Sequence, residues 1–195
     1  MKNLFQHINQ GNIKFIFSLS LILISFFLFI FNNKSKIDIT NIIKKHIKTL
    51  KNIGDSKISK QDMYIFFIFP IFMALFLKIN INLDDGKLSI LVTIFTIFIG
   101  LLFNILAILL AFDIEKATDV HKEIHKEFRR QILYNISFEI IISIFVLIIS
   151  MIKFIELNFY LNFLTEFLLY YLFVLFILTL FMVLKRFILL SSKIN

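Results

Sequence analysis

The sequence predicts an all-α fold: a polytopic transmembrane helical bundle with five spans and one basic amphipathic cytoplasmic helix. Three observations lead there. The chain of 195 residues is 59% apolar, above the roughly 45–50% of a soluble domain, and its mean hydropathy is +0.89. Uncharged runs long enough for a membrane recur along it, the longest being Leu88–Phe112. The 21 Lys and Arg residues gather mostly between those runs. This length fits a single membrane domain, 1–195. With no cysteine, thiol catalysis, disulfides and Cys-based metal sites are excluded.

After the polar leader Met1–Lys14, residues 15–31 form a first span of 17 uncharged residues. Asn32-Asn33-Lys34-Ser35 follows and lacks a small-residue cleavage pattern, so the helix is read as retained. The cytoplasmic segment 32–62 carries Ile39, Ile42, Ile43, Ile47, Leu50 and Ile53 at helical spacing, with Lys44, Lys45, Lys48 and Lys51 on the other side. Gly54 stands where a C-terminal cap belongs. Such a helix lies in the membrane surface with its lysines toward anionic headgroups, or docks on the protein's own cytoplasmic face.

Ser59-Lys60-Gln61-Asp62 resembles a capping signal for the second span, 63–83. Pro70 lies inside it, removes a backbone donor and clashes with the Phe66 carbonyl, so a kink is expected. A re-entrant segment is the alternative. Asp84-Asp85-Gly86-Lys87 reads as a tight turn with glycine at a positive-φ position.

The third span, 88–112, is the expected hub. As a helix it measures roughly 37 Å, more than a hydrocarbon core of about 30 Å. Ser89, Thr93, Thr96, Gly100, Asn104, Ala107 and Ala111 follow at steps of three and four and share one face. In lipid, helices associate through close backbone approach and interhelical hydrogen bonds. This stripe is therefore read as a packing seam, for the other spans or for copies of the chain. From Leu101 onward there is no glycine or proline, so helix can run through the charged segment 113–131. The fourth span is 132–152. Lys153–Glu166 is a polar connection, and the last span is 167–184.

Charge orients the chain. With five spans, alternate segments hold 16 Lys and Arg on one side and 5 on the other; without the Pro70 span they hold 10 and 11. The positive-inside rule thus favours five spans, with the N-terminus outside and the C-terminus cytoplasmic. Tyr64 and Tyr134 fall near the cytoplasmic interface and Tyr160 near the outer one, as an aromatic belt expects.

Glu139 is the principal candidate for chemistry, because an ionisable residue inside a span faces a bundle interior or a wet cavity. Asn135, Glu139 and Ser143 step by four along one face, with Ser150 beyond. Three readings stand: the lining of an ion or proton path, an interhelical hydrogen bond with Asn104, or a carboxyl one turn deep that reaches interfacial water. His121 and His125 sit four apart, but Glu123 is not where a zinc-protease motif requires it and no third ligand is near. No metal or cofactor is expected. Asp84 and Asp85 are ordinary turn chemistry. The lysine runs lack a nucleic-acid-binding motif, and no specific nucleic acid is expected. No phosphate loop, nucleophile elbow or deep acidic pair is present, so nothing points to an enzyme.

The charged helix Glu123–Arg130, the span opening Asn135-Ile136-Ser137 and the final Leu184-Lys185-Arg186-Phe187 resemble small multipass membrane components of bacterial anti-phage defence systems. That resemblance implies a bacterial inner-membrane protein that disrupts the membrane or senses infection. From the residues, two functions compete. One is a protein that self-associates through the seam and perturbs or conducts across the bilayer. The other is a non-conducting anchor, sensor or assembly subunit for a soluble partner on the cytoplasmic side. A transporter is disfavoured, since 195 residues leave no room for two repeats.

Overall fold

The computed structural model describes residues 38–50, 60–111, 119–153 and 159–192, with 119–125 and 190–192 as backbone only. All regular structure among them is helical. The chain divides into two units, 1–43 and 44–195. Five helices are described: α1 (Ile39–Thr49), α2 (Lys60–Asn80), α3 (Asp85–Ala111), α4 (Asp119–Lys153) and α5 (Phe159–Ser192). Four stretches, Lys60–Asn80, Asp85–Ala111, Lys126–Lys153 and Phe159–Leu189, are long and apolar enough to cross a membrane. The expected first span, 15–31, lies outside the described residues, as do Lys51, Gly54 and Ser59.

Each helix has a local cause. Asp38 caps α1: its Oδ1 accepts the Asn41 N–H at 2.8 Å, the preferred use of an aspartate before a first turn. In α2 the proline acts on the turn before it. Residues Tyr64–Ile68 form a widened π-helical turn, in which the Phe69 N–H bonds to the Tyr64 carbonyl five residues back. The widening falls at Phe66, whose carbonyl Pro70 would otherwise strike. The helix continues to Asn80 without a break. Its 21 residues measure about 31 Å, enough to cross.

The turn before α3 differs from expectation. Asp84 is the cap: its Oδ1 accepts the Lys87 N–H at 2.9 Å, and its carbonyl accepts that of Leu88 at 2.9 Å. Gly86 therefore sits in the first helical turn rather than at a positive-φ position. The chain reverses over 81–84 instead. Glu166 likewise lies inside α5, not in a loop.

α4 packs along α3 and along α5, and α2 packs along α5. α3 turns Leu88, Phe95, Leu102 and Leu109 into the core, one residue every seven, as a helix seam does. Phe95 meets Phe176 edge-on at 5.0 Å and Phe173 at 6.3 Å, and Phe98 meets Phe176 at 5.1 Å. The faces turned away are apolar, with Ile90, Ile97, Phe103, Ile108 and Leu110 all exposed. Lipid is the solvent such a surface suits.

Here the seam takes a different place from the expected one. Ser89, Thr93, Thr96, Gly100, Asn104, Ala107 and Ala111 are all exposed. Among the described residues they are not the face against which the other spans pack. Bulk decides the contact face: dispersion and edge-on aromatic pairing favour Phe95 and three leucines over small side chains. The hydroxyls need no neighbour either. Thr93 donates to the Ser89 carbonyl at 2.9 Å and Thr96 to the Val92 carbonyl at 2.8 Å, within their own helix. A Cβ built on Gly100 would meet nothing within 4 Å.

Candidate functional site

The site is a column of buried polar side chains down the inner face of α4. Asn135, Glu139, Ser143 and Ser150 are all fully buried. Their spacing of four, four and seven keeps them on one stripe. Glu139 is 13 residues from Lys126 and 14 from Lys153, roughly 20 Å from either end. It lies midway along that stretch and seven residues, about 10 Å, from Ile132, where the expected span begins. Asn104, the other expected partner, is exposed on the far side of α3, so the Glu139–Asn104 hydrogen bond is not made.

Neither Glu139 carboxyl oxygen has a hydrogen-bond partner. The Thr179 hydroxyl of α5 lies beside it but donates to the carbonyls of Leu175 and Phe176 at 3.0 and 2.9 Å. Ser143 likewise turns its hydroxyl to the Glu139 carbonyl at 2.8 Å. Among the described residues the buried side-chain atoms without a partner are Asn135 Nδ2, both Glu139 oxygens, Ser150 Oγ and Arg186 Nη1. Four of the five lie on this stripe. Each such group ordinarily costs about 1–3 kcal/mol, so their alignment requires an explanation.

One end of the column is covered by the end of α1. His46 Nδ1 donates to Asn135 Oδ1 at 3.0 Å, and the Thr49 hydroxyl lies 2.9 Å from the same oxygen and 2.7 Å from the His46 carbonyl. With the amide so oriented, the imidazole carries its proton on Nδ1. The His46 ring stacks on Phe138 with centroids 3.8 Å apart. Arg186 of α5 donates to the Thr49 carbonyl. Burial pushes the His46 pKa down to about 4; the Asn135 hydrogen bond opposes this and the Arg186 charge adds to it. Lys44 and Lys48 remain exposed, and Lys45 lies 4.8 Å over the Tyr134 ring. Residues 44–49 thus turn His46 and Thr49 toward α4 and keep Lys44 and Lys48 outward.

A second polar cluster lies at the opposite ends of the helices. Lys78 of α2 and Lys153 of α4 both donate to Glu166 of α5, Lys153 at 2.5 Å. Lys153 also donates to Asn162. Glu166 is 1% exposed. Sequence reasoning left Lys78 inside the second span and Glu166 in a polar connection, and so missed the cluster. The charges flanking three spans were its only signal.

Asp84, capping α3, also holds Lys87 Nζ at 2.5 Å; these bonds keep its carboxyl below the usual range. The side chains of His121 and His125 lie outside the described residues. Among the described residues no group of three or more His, Cys, Asp or Glu is placed to hold a metal. The chain matches no family model, no curated protein and no solved structure.

Proposed function

We propose that this chain is a self-associating integral membrane protein that conducts protons or small cations across the bilayer. The observation that carries the reading is the unpartnered, fully buried Glu139 carboxyl inside an apolar helix, in line with Asn135, Ser143 and Ser150. Ionisable groups inside a span mark ion and proton pathways. Unsatisfied polar atoms in a row are groups that a file of water or a passing cation would satisfy. His46 and Arg186 close one end of the row, and the Lys78–Glu166–Lys153 cluster lies toward the other. The seam supports self-association. Asn104 is a polar side chain on a lipid-facing surface, with no hydrogen bond among the described residues, and a second copy would supply one. The resemblance to defence components supports a bacterial inner-membrane setting, where conduction would depolarise an infected cell.

Purified chain in liposomes loaded with a pH-sensitive dye tests this. A potassium diffusion potential should drive proton entry above that of empty vesicles. Glu139→Gln should lower it by about tenfold or more, the loss of a charged hydrogen-bonding group, and Glu139→Asp should retain part of it. No flux with the parent chain rejects conduction. A second reading, a cytoplasmic anchor, is favoured by the seven residues of α4 before Lys126 and by exposed Lys44 and Lys48. A soluble partner co-purifying with a chain that carries no flux is its signature.

A further inference from the structure

The Lys78–Glu166–Lys153 cluster has more positive charge than its own carboxylate balances. Among the described residues two ammonium groups share one carboxylate, which leaves a formal charge of +1. Both carboxylate oxygens are taken, Oε2 by Lys78 and Oε1 by Lys153. Lys153 spends a second donor on Asn162. Each ammonium has three N–H donors, so among the described residues two on Lys78 and one on Lys153 are uncommitted. The lysine side chains are only 16% and 12% exposed, so water solvates them poorly. Excess charge in such a place attracts an anion.

The position says which anion. Lys78 is two residues from the end of α2, Lys153 is the last residue of α4, and Asn162 and Glu166 lie in the first two turns of α5. In a membrane these helix ends reach headgroup depth. Lys78 lies 5.6 Å from the Phe163 ring centroid. Phe163, Ile79, Phe159 and Tyr160 are exposed beside it, the last three at 78%, 78% and 82%. An apolar, aromatic wall beneath a positive seat fits a phosphate with acyl chains attached.

We infer that Lys78 and Lys153, bridged by Glu166, form a seat for the phosphate of an anionic phospholipid, with its acyl chains along Phe163 and Ile79. The seat is independent of conduction through the Glu139 column.

Native mass spectrometry of the full chain in detergent, titrated with phosphatidylglycerol, phosphatidylcholine or inorganic phosphate, tests it. One phosphatidylglycerol should be retained in preference to phosphatidylcholine, and millimolar inorganic phosphate should not displace it. Lys78→Gln leaves Glu166 paired with Lys153, and so leaves no buried carboxylate alone. It should weaken retention about tenfold, the worth of one charge-assisted hydrogen bond. Glu166→Gln frees both lysines and should tighten retention, where a purely structural ion pair would only lose stability. Equal retention of the two lipids, displacement by inorganic phosphate, or unchanged retention in folded Lys78→Gln each overturns the seat. If Glu166→Gln does not fold, Lys78→Gln decides alone.

Discussion

His46 carries a testable consequence at the scale of one residue. It is 3% exposed, and its docked position favours the neutral ring, with a pKa of about 4 against an ordinary 6.5. When α1 undocks, the ring returns to water and takes up a proton near pH 6.5. The undocked state therefore binds more protons between pH 6.5 and 4, and docking weakens as pH falls through that window. Docking is complete above it, and the full loss is about 3 kcal/mol. Amide exchange over 44–50, corrected for its intrinsic pH dependence, should accelerate on acidification from pH 7 to 4. His46→Gln can still donate to Asn135 and should make that protection independent of pH. Flat protection in the parent chain would count against burial as the cause.

At the scale of one element, α3 shows what its sequence could and could not reveal. A charge-free run of this length is legible as a span because burial of backbone in lipid admits little else. Its inward face is not legible. Apart from the stripe of Ser89, Thr93, Thr96 and Asn104, every face of α3 is apolar, so that stripe stands out and the face that packs does not. The contact face was decided by Phe173 and Phe176, nearly 80 residues away in sequence. The same holds for His46 with Asn135 and for Lys78 with Glu166, separated by 89 and 88 residues. The Asn135–Glu139–Ser143 stripe was legible because polar residues have a single inner face to occupy on a helix in lipid. Two substitutions separate the two faces of α3. Phe95→Ala removes the edge-on pairs with Phe173 and Phe176. It should destabilise the chain by about 1–3 kcal/mol, read by unfolding in detergent. Gly100→Leu enters open space and should leave that stability unchanged, while weakening self-association about tenfold or more. Cross-linking or light scattering reads the second effect. Association indifferent to Gly100→Leu would remove the seam from the interface between copies.

For the whole molecule, the deciding element is α2, the shortest of the four apolar helices. The positive-inside asymmetry exists only if α2 crosses. Its π-helical turn shows how it stays one helix despite Pro70: five residues absorb the missing donor and the ring, and the helix keeps its length. If it crosses, Lys48 before it and Asn82 after it stand on opposite faces of the membrane, and both are exposed. The natural chain has no cysteine, so a single introduced thiol reports without background. In sealed right-side-out vesicles, an impermeant maleimide should label Asn82→Cys nearly completely. Under the positive-inside rule, which puts the lysine-rich side in the cytoplasm, Lys48→Cys should react only after permeabilisation. Equal labelling of both positions before permeabilisation would make α2 re-entrant. Then α3, α4 and α5 would have to contain any conducting path without it.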